Sequence, residues 1–424
     1  MSKSNAAQAR PSESPPSNYK RIEQCRAGGG DLIDVLSLGD QAMTGIFPKP
    51  GEVVPTAPLT LAWSPVSGLL QLRHTCSLPE MYGENYGYRT GLNSAMVKHV
   101  ERKVYGLQRQ ANLSAGDIVL DIGSNDGTLL GFYRNDLRRV GIDPTAAKFG
   151  RYYKRGIEFA ADFFSAAKFR DVVGNRKAKV ITSLAMFYDL EDPIGFAREV
   201  AECLAPDGVW HIECHYLGAA LRDGCYDSVV HEHLEYYSFR SLTRILAAAG
   251  LDVRSVTMND VNGGSMAVTC GHETKGTPVT DTFAHWLLSE ETVSGIHLKQ
   301  AYSHFAFRVA NHRDSLRNLL ERLRTDGKKV FAYGASTKGN VVLQYCGIGP
   351  DLVQAVAEVN PDKFGCVTPG TNIPIISESE ARAMKPDYFL VLPWHFRAGI
   401  IEREREFLAN GGKMIFPFPS IEVV

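Results

Sequence analysis

The sequence predicts an α/β protein: two Rossmann-like units in series, with a small β-rich module ahead of them. Three observations carry this. A length of 424 residues exceeds what one ordinary core organises. Strand-like apolar runs alternate with helical patterns over two separate stretches. Before them, short apolar runs are broken repeatedly by Gly and Pro.

Residues 1–17, rich in Ser, Pro and Ala, bury too little surface to offset ordering and are read as a disordered tail. From 18 to 80, the breaks at Gly28–Gly30, Pro48–Gly51, Pro55 and Pro58 mark the small module. The first α/β unit covers 81–275, with a helix over Leu92–Arg109 and strands at Ile118–Ile122, Arg139–Ile142, Val180–Leu184 and Val209–Glu213. A polar helical connection over 276–326 leads to the second unit, 327–424. Its strands are expected at Lys329–Tyr333, Val353–Glu358, Tyr388–Leu392 and Lys413–Phe416.

With 46 basic and 47 acidic side chains there is no net field to attract nucleic acid or a membrane surface. No run reaches the ~20 apolar residues that span a bilayer, and no charged start precedes an apolar run. The expectation is a cytoplasmic protein, monomer or small homo-oligomer, acting on a small molecule. The eight cysteines are scattered without a C-x-x-C pair, which argues against a disulfide framework and a zinc site alike.

Asp117-Ile-Val-Leu-Asp121-Ile-Gly123-Ser124-Asn125-Asp126-Gly127-Thr-Leu-Leu130 reads as strand, glycine turn, helix. Gly123 and Gly127 would admit a ligand close to the backbone. Asp143 ends the next strand, where a carboxylate accepts both hydroxyls of a ribose. A dinucleotide turn would read G-x-G-x-x-G, whereas here Asp126 stands where a pyrophosphate would sit. That favours a cationic sulfonium cofactor without phosphates, S-adenosylmethionine, over NAD. Asp162, in Ala-Ala-Asp162-Phe-Phe, falls where a residue beside the adenine is expected. The plainer alternative is a ligand-free α/β turn.

Further motifs follow in order: His231-Glu232-His233-Leu-Glu-Tyr236-Tyr237, Asn262-Gly263-Gly264-Ser265, Tyr333-Gly-Ala-Ser336-Thr337-Lys338-Gly-Asn340 and Pro369-Gly-Thr-Asn-Ile-Pro374. Together with the first turn they resemble the sugar C-methyltransferases that act on nucleotide-linked 4-keto-6-deoxy sugars, over nearly everything from residue 20 onward. The resemblance implies an N-terminal zinc-binding module, a class I S-adenosylmethionine methyltransferase domain and a C-terminal Rossmann-like domain that together enclose a nucleotide diphosphate-sugar. Departures are visible. The family's two cysteine pairs are here Cys25-Arg-Ala-Gly28 and Ser64-Pro-Val-Ser67, so no zinc is expected and Cys25 is read as a core residue. Val230 replaces the family's tyrosine before His-Glu-His. Tyr188 or Asp189 takes the place of its loop histidine.

Methylating carbon beside a ketone needs a base for the α-proton, groups that stabilise the enolate and an in-line methyl donor. His233 is the candidate base. Glu232 would orient it or bind a hydroxyl, with His231 and Tyr236 as neighbours. Of Tyr86 and Tyr88, which match the family's tyrosine-bearing segment, Tyr86 is favoured to meet the keto oxygen. H-E-x-x-H is absent, so no metal is expected there. Glu213, at a strand's carboxyl end, lines the site or is simply solvated. In the second turn, the backbone amides, Ser336, Thr337, Lys338 and Asn340, beside Tyr333, make an anion site suited to the diphosphate. Glu358 meets a ribose or caps a helix, and Trp394 with His395 walls the nucleobase or packs between domains. Methylation of an oxygen or nitrogen, and a sugar-nucleotide binder without catalysis, are the competing readings.

Overall fold

The computed structural model describes residues 19–77, 88–273 and 281–424; the tail expected over 1–17 lies outside them. In the first stretch, β1 (Ile33–Ala42), β2 (Thr56–Trp63) and β3 (Leu70–Leu72) form an antiparallel sheet. In β1, Leu36 and Leu38 point inward between exposed neighbours, the alternation of a half-covered strand.

Helix α1 (Ser94–Gln110) begins where the Asn93 side chain accepts from the amides of Ala95 and Met96, and it buries His99, Val100, Val104 and Leu107 along one face. The large sheet follows: β4 (Ile118–Ile122), β5 (Arg138–Ile142), β6 (Ile157–Ala160), β7 (Ala178–Leu184) and β8 (Leu204–His215). The chain then leaves to add a two-residue strand, β9 (Glu235–Tyr236), to the module sheet, and returns with β10 (Leu251–Asn259) and β11 (Ser265–His272). The order β10-β11-β8-β7-β4-β5-β6 is parallel except for β11. All of β4 is buried, as a strand covered on both faces requires.

Two helices, α2 (Thr282–Val293) and α3 (Lys299–Thr325), connect to the last unit. There β12 (Val330–Tyr333), α4 (Thr337–Tyr345), β13 (Val356–Glu358), β14 (Ile375–Ser377), β15 (Tyr388–Val391), β16 (Lys413–Phe416) and β17 (Glu422–Val423) build a sheet ordered β14-β13-β12-β15-β16-β17, antiparallel only at β17. The strand expected from Val353 starts later, because the Val353 amide closes a turn onto the Gly349 carbonyl.

The module and the last unit are not separate bodies. Leu59, Leu61 and Trp63 of β2, Tyr302, Phe305 and Val309 of α3, and Val330 and Phe331 of β12 belong to one continuous core. The rings of Trp63 and Tyr302 lie 5.2 Å apart within it. The central sheet has cores of its own, one of which takes in Cys25. Among the described residues no helix is long and apolar enough to cross a membrane.

Candidate active site

A cavity of about 390 Å³ opens at the carboxyl ends of β4, β5 and β7. Asp121, Gly123, Ser124 and Asn125 line it from the first turn, Asp143 from the end of β5, and Phe163, Phe164 and Met186 supply apolar walls. The turn is shaped by left-handed backbone at Gly123 (φ +75°), Asn125 (φ +50°) and Gly127 (φ +71°), which glycine and asparagine tolerate best. Asp143 locks it: one carboxylate oxygen accepts the Asn125 amide at 2.7 Å, the other the Thr145 amide and hydroxyl, each at 2.6 Å. Asp121 accepts from Thr182 Oγ1 at 2.5 Å, and burial pushes its carboxyl up to about 7.

Among the described residues no lysine or arginine lines this cavity. Five acidic residues (Asp121, Asp143, Asp189, Glu191 and Glu213) and aromatic walls suit a cofactor that carries an adenosine and positive charge but no phosphate, and S-adenosylmethionine has those features. Phe163 and Phe164, which follow Asp162 in the chain, line the cavity. Asp162 does not: it lies outside the cavity, ion-paired with Lys168 at 2.9 Å.

Two turn residues also act differently from the reading above. Asp126 faces away from the cavity. It accepts the Gly91 amide at 2.9 Å and pairs with Arg89 at 3.5 Å, so its charge ties down the segment from Tyr88 to Leu92 rather than repelling a phosphate. Gly127 is required by packing, since a Cβ there would lie 2.8 Å from the Tyr153 ring. Asn125 completes the tie, accepting the Thr90 amide at 3.0 Å and donating to the Tyr88 carbonyl at 3.1 Å. Tyr88 itself lines the cavity mouth; Tyr86 lies outside the described residues.

Glu213 reaches the same cavity from β8, but both oxygens are engaged. His99 Nε2 lies 2.6 Å from Oε1, and Lys103 Nζ and Asn259 Nδ2 lie 2.7 and 2.9 Å from Oε2. Burial alone would raise this carboxyl, yet the His99 and Lys103 contacts outweigh it and hold it at about 2. Glu213 thus fastens α1 over the cofactor cavity rather than offering an acceptor contact. This cluster is not legible in the sequence, because no spacing rule links residues on α1 to a strand end 114 positions away.

The His-Glu-His segment lies where the central unit meets the module. His231 is buried and its Nε2 lies 3.2 Å from the Ala57 carbonyl in β2, so it ties the segment to the module rather than facing an acceptor. Burial pushes its imidazole down to about 4. The Glu232 carboxyl rests against Gly45, where a Cβ would come within 2.6 Å of it; burial raises it to about 7, and Oε2 has no protein partner. Tyr236 is packed inside, its hydroxyl 3.4 Å from the Ser228 carbonyl.

His233 Nδ1 lies 2.9 Å from the same Ser228 carbonyl. A carbonyl only accepts, so Nδ1 carries the proton and Nε2 keeps the lone pair. Burial first, and the Lys338 ammonium second, hold the imidazole down at about 3, hence neutral. The Tyr188 ring meets it edge-on at 4.4 Å, so of the two candidates for the lost loop histidine, Tyr188 is the one in ring contact with this imidazole.

The second glycine turn is spent on protein contacts. Ser336 caps α4 through the Gly339 amide at 3.0 Å, with Thr337 as the first residue of that helix. Lys338 Nζ donates to the Asn262 carbonyl at 3.0 Å, and Asn340 donates to the Thr44 carbonyl at 2.8 Å. Tyr333 donates to Glu404 at 2.9 Å. Glu358 accepts three backbone amides, from Ala335, Val359 and Asn360, at 2.7–2.9 Å, and so locks its turn as Asp143 locks the first. Trp394 donates to Asp227 at 2.8 Å and packs on Gly263, which makes it an interdomain contact rather than a wall for a nucleobase.

In the module, Cys25 Sγ lies 3.0 Å from Ser67 Oγ, and Gly28 and Ser64 supply no thiolate, a donor set that does not suit zinc.

Residues 97–256 match a methyltransferase domain family and residues 260–419 a C-methyltransferase C-terminal domain family. C-methyltransferase NovU of Streptomyces niveus is 32% identical over 411 residues, 95% of this chain and 97% of its own length. Among solved structures, an S-adenosylmethionine-dependent methyltransferase from Clostridium acetobutylicum aligns at 12% identity and a TM-score of 0.32, over 42% of this chain and 92% of its own. The magnesium protoporphyrin IX methyltransferase of Synechocystis, solved with bound S-adenosylmethionine, aligns at 14% identity and a TM-score of 0.32, over 42% and 79%. With the relative matched almost end to end, this chain belongs to the S-adenosylmethionine-dependent C-methyltransferase family.

Proposed function

We propose that this enzyme methylates the carbon next to the ketone of a nucleotide-linked 4-keto-6-deoxy sugar, with His233 as the base. The observation that carries this reading is the tautomer of His233: with Nδ1–H spent on the Ser228 carbonyl, Nε2 is left to accept an α-proton. S-adenosylmethionine supplies the methyl group as an electrophile when bound. Around it, Asp143 and the Phe163–Phe164 wall orient the nucleoside, and α1, fastened by Glu213, excludes water from one side. Tyr188 fixes the imidazole plane. Glu232, raised to about 7 by burial and so about half protonated at neutrality, is in its protonated form a hydrogen-bond donor to a sugar oxygen. Tyr86 and Tyr88 stand in the segment proposed to meet the keto oxygen.

The test is mass spectrometry of the enzyme with S-adenosylmethionine and dTDP-, GDP- and CDP-linked 4-keto-6-deoxy sugars in deuterated water. A product one methyl heavier, deuterium at the α-carbon, and loss of both signals in His233→Ala support enolate C-methylation. Methyl transfer without α-exchange points to an oxygen or nitrogen acceptor and overturns the mechanism.

A further inference from the structure

Outside the cofactor cavity, four cationic or cationisable side chains from separate elements gather around one turn, Asn262–Ser265, between β10 and β11. The Asn262 carbonyl holds Lys338 Nζ at 3.0 Å. Gly263 lies under Trp394: a Cβ there would be 2.7 Å from the indole, whose centroid is 5.8 Å from the His395 ring. Ser265 is the register partner of His215 at the end of β8, and the adjoining Tyr216 amide donates to the Gly264 carbonyl at 3.0 Å. One turn thereby brings His215 of the central unit next to Lys338 and His395 of the C-terminal unit. His233 lies within electrostatic reach of His215 and Lys338.

The cluster is unbalanced. His215 is 8% exposed and its Nε2 has no protein partner; His395 Nδ1 is buried and likewise unpartnered. Among the described residues no carboxylate acts on His215, His233 or His395. Buried polar nitrogens without partners are costly unless a hydrogen-bonding group completes them, and the one carboxylate named at this junction, Asp227, has Oδ2 engaged by Trp394 at 2.8 Å and Oδ1 without a protein partner. None of these groups is needed for the cofactor, whose cavity they do not line.

We propose that His215, His395 and Lys338 form the site for the anionic oxygens of the acceptor, placed so that the acceptor's reacting end meets His233. The proposal rests on the acceptor reading above. It adds two histidines that neither glycine turn contains, and it moves the anion site from the second turn itself to the junction of the two units. Its charge logic also serves the base. Burial and then Lys338 hold the free His233 imidazole down, and an anion seated on Lys338 removes the second cause, so the base gains strength once the acceptor is in place. The oxygens are those of the diphosphate or of the developing enolate, and the experiment separates them.

Inorganic pyrophosphate is titrated by calorimetry into the full-length protein saturated with S-adenosylhomocysteine, for wild type, His215→Gln, His395→Gln and His395→Ala. Unchanged S-adenosylhomocysteine affinity certifies that each variant is folded. If the diphosphate is the ligand, wild type binds pyrophosphate and each variant weakens it about tenfold or more, the scale of a lost hydrogen bond to a charged group. If the enolate is the ligand, pyrophosphate affinity is unmoved while kcat on the keto sugar falls by a similar factor. Folded variants that change neither overturn the proposal. Pyrophosphate binding sensitive to both histidines, with no turnover on any keto sugar, would keep the anion site and sink the acceptor reading. Turnover indifferent to both histidines would do the reverse.

Discussion

The two Rossmann-like units of this enzyme share one local device and put it to different ends. In each, a carboxylate at the end of the second strand reaches back to a backbone amide of the glycine turn after the first. Asp143 accepts from Asn125 and Glu358 from Ala335, both at 2.7 Å. In the central unit the space beyond the turn stays open as a cavity, the one proposed for the cofactor. In the C-terminal unit Lys338 and Asn340 turn outward to hold the central unit and the module, and Trp394 closes over Gly263. A strand–turn–helix signature therefore specifies a backbone geometry; what fills it depends on the neighbours.

The sharpest test of this division is at the base. His233→Ala should cut methyl transfer by about 10²–10⁴-fold, the usual worth of a general base, while S-adenosylmethionine affinity stays unchanged by calorimetry. Retained turnover would remove His233 from the mechanism.

The paired carboxylates come next. Asp143→Ala should weaken S-adenosylmethionine about 10- to 100-fold through lost charged hydrogen bonds. Glu358→Ala should lower the melting temperature, because three amides lose their acceptor, yet leave cofactor affinity intact. Equal effects of the two variants on cofactor binding would dissolve the contrast between the units.

A smaller effect lies at Asp121, raised to about 7 by burial. The cofactor's positive charge favours the carboxylate, so binding below pH 7 expels a proton. Affinity should rise by up to about tenfold per pH unit between pH 5 and 7 and then level off. Calorimetry in buffers of different ionisation enthalpy reads the released proton; no buffer dependence at pH 6 would refute the assignment. Smallest of all, Asp162→Ala should leave cofactor affinity within about twofold, since an exposed ion pair contributes little.

Part of the lining of the central cavity was legible in the sequence. Asp121, Gly123, Ser124, Asn125 and Asp143 announced themselves because an apolar strand, a glycine that takes positive φ and a following carboxylate form a short-range pattern. Asp126 and Gly127 shared that pattern, but the direction of the Asp126 side chain and the packing at Gly127 depend on Gly91, Arg89 and Tyr153, which no local rule brings together. The same limit applied to Glu213, whose partners on α1 are distant in sequence.

By itself, then, the sequence determined the alternation of strands and helices, the two glycine turns and the carboxylates that lock them, since each rests on periodicity or backbone freedom within about twenty-five residues. The tertiary structure alone decided that the module and the C-terminal unit share a core through α3. It also decided that His231 ties to Ala57 across 174 positions, and that His215 and His395 come within electrostatic reach of each other and of Lys338. Contacts at such separations are set by how whole sheets dock, and docking leaves no repeat in the chain to read.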